Sequence, residues 1–119
     1  MGLDTSHNCW HGSYSTFGAF RDAVATAAKD QYGYEPDYTA HPIRCYYGWW
    51  DADHPYADVL DVFFVHSDCE GYIFPVDAER LADRLKPLRQ HVGEWKDRLQ
   101  AFIDGLESAA DEWEIVEFR

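Results

Sequence analysis

The chain has little that would staple it, anchor it or draw it to an anionic surface. Its three cysteines, Cys9, Cys45 and Cys69, make no even disulfide framework. No apolar run is long enough to span a bilayer, and no signal-peptide pattern stands at the start. The expectation is therefore a soluble, cytoplasmic protein held together by its core. Basic residues are scarce: 10 Lys and Arg stand against 22 Asp and Glu, a net charge of −12. That excludes the clustered cations needed to grip nucleic acid directly, and it argues against an anionic membrane. The spacings CxxC and HExxH are absent, as are internal repeats and linkers. MGLDTS fits the pattern for an acylated Gly2. Leu3 to Ser6 has a better use as a first strand.

What is present is a core. The 119 residues read as one domain, 1–119, long enough to fold unaided. Twenty aromatic side chains (five Trp, eight Tyr, seven Phe) exceed what a small interior needs. The acids gather in residues 30–61 and again in the tail from Asp104 to Glu117. A solvated surface explains them. Mimicry of nucleic-acid charge, to fill a basic groove on a partner, is the sharper alternative.

Hydrophobic spacing gives the elements. GLDTS (2–6) reads as a strand. Phe17, Phe20, Val24 and Ala27 or Ala28 recur at three and four, predicting a helix over 16–29 with Ser15 or Thr16 as N-cap. Residues 30–57 have poor periodicity, with a strand candidate at 43–50. Val59 to Val65 is nearly continuous apolar, which predicts a strand covered on both faces. Tyr72 to Phe74 is a further short apolar run, and Pro75 opens a helix that Pro87 ends. A helix from about Val92 carries Trp95, Leu99, Phe102, Ile103 and Leu106 on one face. WEIVEF (113–118) closes as a strand. The fold class is α/β or α+β: a three- to five-stranded sheet with about three helices, in the order β-α-β-β-α-α-β.

Two segments share a form. LDTSH (3–7) and FVHSD (64–68) each run from apolar residues into hydroxyl and imidazole. If both were parallel strands, their ends would open on one sheet edge, where α/β proteins bind ligands. His7, Trp10, His11, Tyr14, His66, Ser67, Asp68 and Glu70 would then line one site. His7, His11, His66, Asp68 and Cys69 are also legal metal ligands, although H-x-C-x-H is not a standard zinc spacing. Cys69 beside His66 has the residue types of a nucleophile and its base. The plainer reading makes HSDCEG (66–71) an Asx-type turn.

MGLDTSHNCWHGSYSTF (1–17), with FFVHSDCEG (63–71), resembles a family of small proteins from bacteriophages and bacterial genomes. The family pattern is MGLDxSHxxWHGxYSxF followed by HSDCDG. Glu70 stands where the family has Asp, which counts against tight metal ligation at that position. The resemblance implies a phage accessory role in conflict with a host, in the host cytoplasm.

Three functions remain. The first is a protein that binds a small polar, nucleotide-like ligand and sequesters a host defence signal, without catalysis or cofactor. In it Trp10 and Tyr14 stack, while His7, His11, His66 and Asp68 make polar contacts. The second is a metal-dependent hydrolase, with zinc as its ion. The third is an acidic inhibitor of a host protein. Exposed aromatics within 46–50 add self-association to a homodimer as an option.

Overall fold

The computed structural model describes residues 2–36, 58–68 and 70–119. Among these residues it is a mixed α+β domain of four helices and two small antiparallel sheets. Strand β1 (Gly2–Asp4) pairs with β2 (His11–Ser13), Leu3 opposite Gly12. Strand β3 (Gly71–Ile73) pairs with β4 (Val116–Phe118), Ile73 opposite Val116. The two ribbons meet at one antiparallel bridge, Thr5 to Phe118. Beside it Asp4 and Arg119 exchange N–H···O bonds of 3.0 and 2.9 Å. The strands thus run β2-β1-β4-β3 across the molecule.

The link from β1 to β2 is a 3-10 turn, Ser6–Asn8. Thr5 closes it at the base. Its Oγ1 accepts from the Trp10 N–H at 2.9 Å, and its own N–H donates to the Trp10 carbonyl at 3.0 Å. Helix α1 (Tyr14–Tyr32) starts two residues before the predicted span, because Ser13 is extended and its Oγ accepts from the Thr16 N–H at 3.1 Å. Gly33 ends it in the left-handed conformation, φ 66°.

The predicted strand at 59–65 is a short helix instead, α2 (Asp61–Phe64). Asp58 sets it up: its Oδ1 accepts from the Leu60 N–H, and its carbonyl accepts from the Asp61 N–H, both at 3.0 Å. Everything from Val59 to His66 is buried. A run that is apolar on all sides carries no period to separate strand from helix. The far end of α2 is capped from α1: Arg21 Nη1 donates to the carbonyls of His66 at 2.7 Å and Phe63 at 3.2 Å. At the near end Arg84 binds Asp58 Oδ2 at 2.5 Å and lies 3.9 Å above the Tyr32 ring.

Helix α3 (Pro75–Leu85) begins at proline, as expected, and buries Ala78, Leu81, Ala82 and Leu85. Two 3-10 turns, Lys86–His91 and Gly93–Trp95, lead into α4 (Lys96–Glu112). Pro87 falls in the first of them. Among the described residues the order is β-β-α-α-β-α-α-β, with β2 and β3 added and α2 replacing a strand. The strand candidate at 43–50 lies outside the described residues.

The core is aromatic. Phe17 has the rings of Trp10, Phe20, Phe63, Phe102 and Phe118 around it at 5.1 to 6.4 Å. Phe17 and Phe20 of α1 meet one side chain from each of α2, α4, β4 and the first loop there, so no single element buries its apolar face alone.

Gly105 lets α4 approach the 3-10 turn. A Cβ there would lie 2.5 Å from Cys9 Sγ and 2.8 Å from the His7 carbonyl oxygen. Alanine normally favours a helix interior over glycine by about 1 kcal/mol. Here overpacking wins, at about 1–3 kcal/mol. Gly105→Ala should therefore lower stability in urea unfolding, whereas Gly18→Ala, with open space at its Cβ, should raise it.

Candidate functional site

The shared edge envisaged for 3–7 and 64–68 does not form. Segment 59–65 is not a strand, and the described neighbours of β1 are β2 and β4, both antiparallel. The residues expected to converge are dispersed. Trp10 is 3% exposed, stacked on Phe20 at 4.9 Å and covered by the Arg98 guanidinium at 4.4 Å. Neither face of its indole is open to a ligand. Tyr14 is half-buried against the core at the start of α1. His11 projects into solvent from β2, its Nδ1 3.5 Å from Asp4 Oδ1.

His66 is a core residue, 2% exposed, its ring 4.1 Å from that of Phe118. Its Nδ1 lies 2.7 Å from the Ser67 carbonyl oxygen and its Nε2 3.2 Å from that of Tyr72. Carbonyls only accept, so a nitrogen that bonds one carries the hydrogen and has no lone pair for a metal. Ser67 and Asp68 are half-buried and Glu70 is exposed. Cys69, and with it the nucleophile–base reading, lies outside the described residues. His66 is thus a structural histidine, buried at the start of HSDCEG. The five-residue metal set (His7, His11, His66, Asp68, Cys69) is not assembled among the described residues.

His7 does find partners, and they come from the other end of the chain. Its Nε2 lies 3.3 Å from Glu114 Oε1 and 4.0 Å from Glu112 Oε2. These three side chains form the group of metal-ligating type found among the described residues, with ligand atoms within 4.8 Å of one another. The seam between β1 and β4 carries the turn Ser6–Asn8 onto the end of α4.

The imidazole is held from behind. The Glu117 N–H donates to Ser6 Oγ at 2.8 Å, and Ser6 Oγ lies 2.8 Å from His7 Nδ1. With Nε2–H donating to Glu114, the Ser6 hydroxyl donates to Nδ1. When Nε2 binds a metal, the proton sits on Nδ1 and the same hydroxyl turns to accept it. The side chain of His7 is only 13% exposed, while those of Glu112 and Glu114 are 58% and 55% exposed.

The two carboxyls interact. Glu112 has its pKa raised, first by its hydrogen bond to Glu114; Glu114 has its pKa lowered, first by that bond and then by His7. The opposed directions reflect the mutual repulsion of two adjacent carboxylates, which a nearby cation relieves.

Backbone conformation marks the same spot. His7, Asn8 and Trp113 have φ of 61°, 58° and 57°, and these are the non-glycine residues of positive φ among those described. Trp113 is the left-handed cap of α4 and stands between the two glutamates. Each such residue costs of order 1–2 kcal/mol. The sequence carried no local sign of Glu112 and Glu114 beyond the acidity of the tail. Only the pairing of chain ends brings them to His7.

Two depressions lie elsewhere. One, of about 380 Å³, runs along β1 and β2 past Asp4, His11 and Ser13. The other, of about 320 Å³, separates α3 from α4, where Lys86 bridges Asp83 and Glu107. No helix among the described residues is long and apolar enough to cross a membrane. The comparisons with known proteins find no matching family model, no similar curated protein and no similar solved structure.

The two histidines should separate in mutagenesis. His66→Ala leaves a cavity beside Phe118 and removes the ring's contacts with the Ser67 and Tyr72 carbonyls, an expected loss of about 2–4 kcal/mol in urea unfolding. His7→Ala should cost under about 1 kcal/mol, since its bonds face exposed carboxylates.

Burial also pushes the Cys9 thiol up to about 12 from 9.0. A raised thiol pKa means that the folded state favours the neutral form. Stability from this residue is full below pH 9 and is lost as pH rises toward 12. In a variant with Cys45→Ser and Cys69→Ser, Cys9 should resist iodoacetamide at pH 8.5 until denaturant is added. Rapid labelling of the folded chain would show that the turn opens.

Proposed function

We propose that the protein binds a divalent metal ion of the zinc class at His7, Glu112 and Glu114, and through it a small oxygen-donor ligand. The observation that carries this is the aimed imidazole. A nearly buried ring is fixed by Ser6 and directed at two carboxylates from a distant part of the chain. Imidazole with carboxylates suits zinc and its neighbours. Donors around one zinc lie roughly 3.4 Å apart. The His7–Glu114 spacing already meets this, and an exposed Glu112 side chain can close the remainder.

Three protein ligands leave a position open. A phosphate or carboxylate oxygen fits it, and its negative charge then meets the ion rather than a surface of charge −12. This keeps the small polar ligand of the sequence reading but changes how it is held. Stacking on Trp10 has no part in it. Both glutamates are exposed, so a ligand can enter and leave the open position freely, which favours reversible binding. A free buried thiol at Cys9 supports a reducing, cytoplasmic setting. The motifs at 1–17 and 63–71 support a phage accessory role, in which the ligand withheld is a phosphate-bearing host signal.

Calorimetric titration of chelator-stripped protein with zinc should show one site. At a hundredfold excess over Kd the ion should add about 2.7 kcal/mol of stability, raising Tm by roughly 10 °C. Cobalt should give the visible spectrum of a low-coordinate site. His7→Ala, or Glu112→Gln with Glu114→Gln, should abolish both signals while leaving the apo protein folded. Zinc binding that survives these substitutions would place the ion elsewhere and end this reading. A mononucleotide panel that binds equally well with and without zinc would remove the metal-held ligand.

A further inference from the structure

The register of β3 against β4 places the next pair outward, Phe74 beside Ile115, on the solvent side of the ribbon. Tyr72 faces the same way, opposite Glu117. These three are 39%, 36% and 38% exposed, and Val76, in the first turn of α3, is 41% exposed. Trp113, at the end of α4, is 69% exposed. They are the exposed large hydrophobics among the described residues, and all lie at this ribbon or at the helix ends that flank it.

Trp113 has the stronger claim to a use. It occupies the left-handed cap position that glycine takes without strain. It endures that strain while burying little of its ring, so the fold gains nothing visible by keeping a tryptophan there. Glu117 stands opposite Tyr72, Glu112 and Glu114 flank Trp113 and the exposed Glu70 precedes β3; among the described residues Arg119 lies 3.6 Å from Glu117. An apolar centre with an acidic rim is complementary to a basic amphipathic helix, with apolar residues on one face and Lys or Arg beside them. A second copy of this chain would bring the same acidic rim, and a net −12, against it.

We propose that the outer face of the β3–β4 ribbon, with Trp113, docks a basic amphipathic helix of a partner protein. The surface shares Glu112 and Glu114 with the ion site, and chelator in the assay keeps the two activities apart.

The test uses the whole chain in EDTA and a fluorescein-labelled Leu/Lys amphipathic peptide. A matched peptide with Glu for every Lys is the control. Fluorescence anisotropy should show saturable binding of the basic peptide alone. Phe74→Ser with Ile115→Ser preserves every charge and should weaken it on the order of tenfold or more. Trp113→Gly should weaken binding while raising stability, which separates lost contact from lost fold. Raised salt should weaken the wild-type complex further. Binding unchanged in both variants would show charge attraction without a docking face and overturn the proposal. So would equal binding of the Glu peptide, or a dimer in sedimentation that the double variant dissolves.

Discussion

The pairing of the two ends of the chain governs the rest. One bridge, Thr5 to Phe118, and the reciprocal bonds of Asp4 and Arg119 join two ribbons that are each only three residues long. Isolated ribbons of that length have no stability of their own. Joined, they set Phe118 into the aromatic core and bring Ser6 under the Glu117 amide. His7 then reaches Glu112 and Glu114 without any strand passing between them. The aromatic cluster supplies the burial, and the seam decides which surface residues meet.

Much of the helical architecture is legible in sequence, and for a physical reason. α1, α3 and α4 each have one wet face and one dry face, so the 3.6-residue period shows through. Pro75 and Gly33 sit where helix-end chemistry puts them. α2 is not legible because it is buried on every side. The polar residue in that run, Asp61, is buried and accepts a hydrogen bond from the Tyr34 hydroxyl. That tertiary contact leaves no periodic trace. Strand β2 was hidden for another reason: HGS has no apolar alternation, and its pairing depends on Thr5 closing the turn before it.

The candidate site was half visible. A loop with His7 and His11 announces ligand-type chemistry, yet it gives no means of telling which ring faces outward. Local geometry assigns them opposite fates. His11 extends into water from a strand, and His7 is turned inward by a left-handed backbone. His66 shows the converse error, since imidazole next to Ser and Asp looks reactive. In the fold its ring packs on Phe118, with its nitrogens beside the backbone carbonyls of Ser67 and Tyr72. The acidic tail looked like a solubilising surface, and Glu112 and Glu114 acquire a local role only through contact with a residue more than a hundred positions away.

That separation has a consequence for how the molecule is made. Contacts between positions 4–7 and 112–119 carry the largest loop-closure entropy available to the chain, and a topology rich in such contacts folds slowly. During synthesis α1 and α3 can form while the tail is still inside the ribosome. The imidazole of His7 cannot have its carboxylates until residue 114 has emerged and α4 has docked. Ion binding at this site would therefore require α4 to have docked, and a nascent chain still lacking residues 112–114 would hold His7 without its carboxylates.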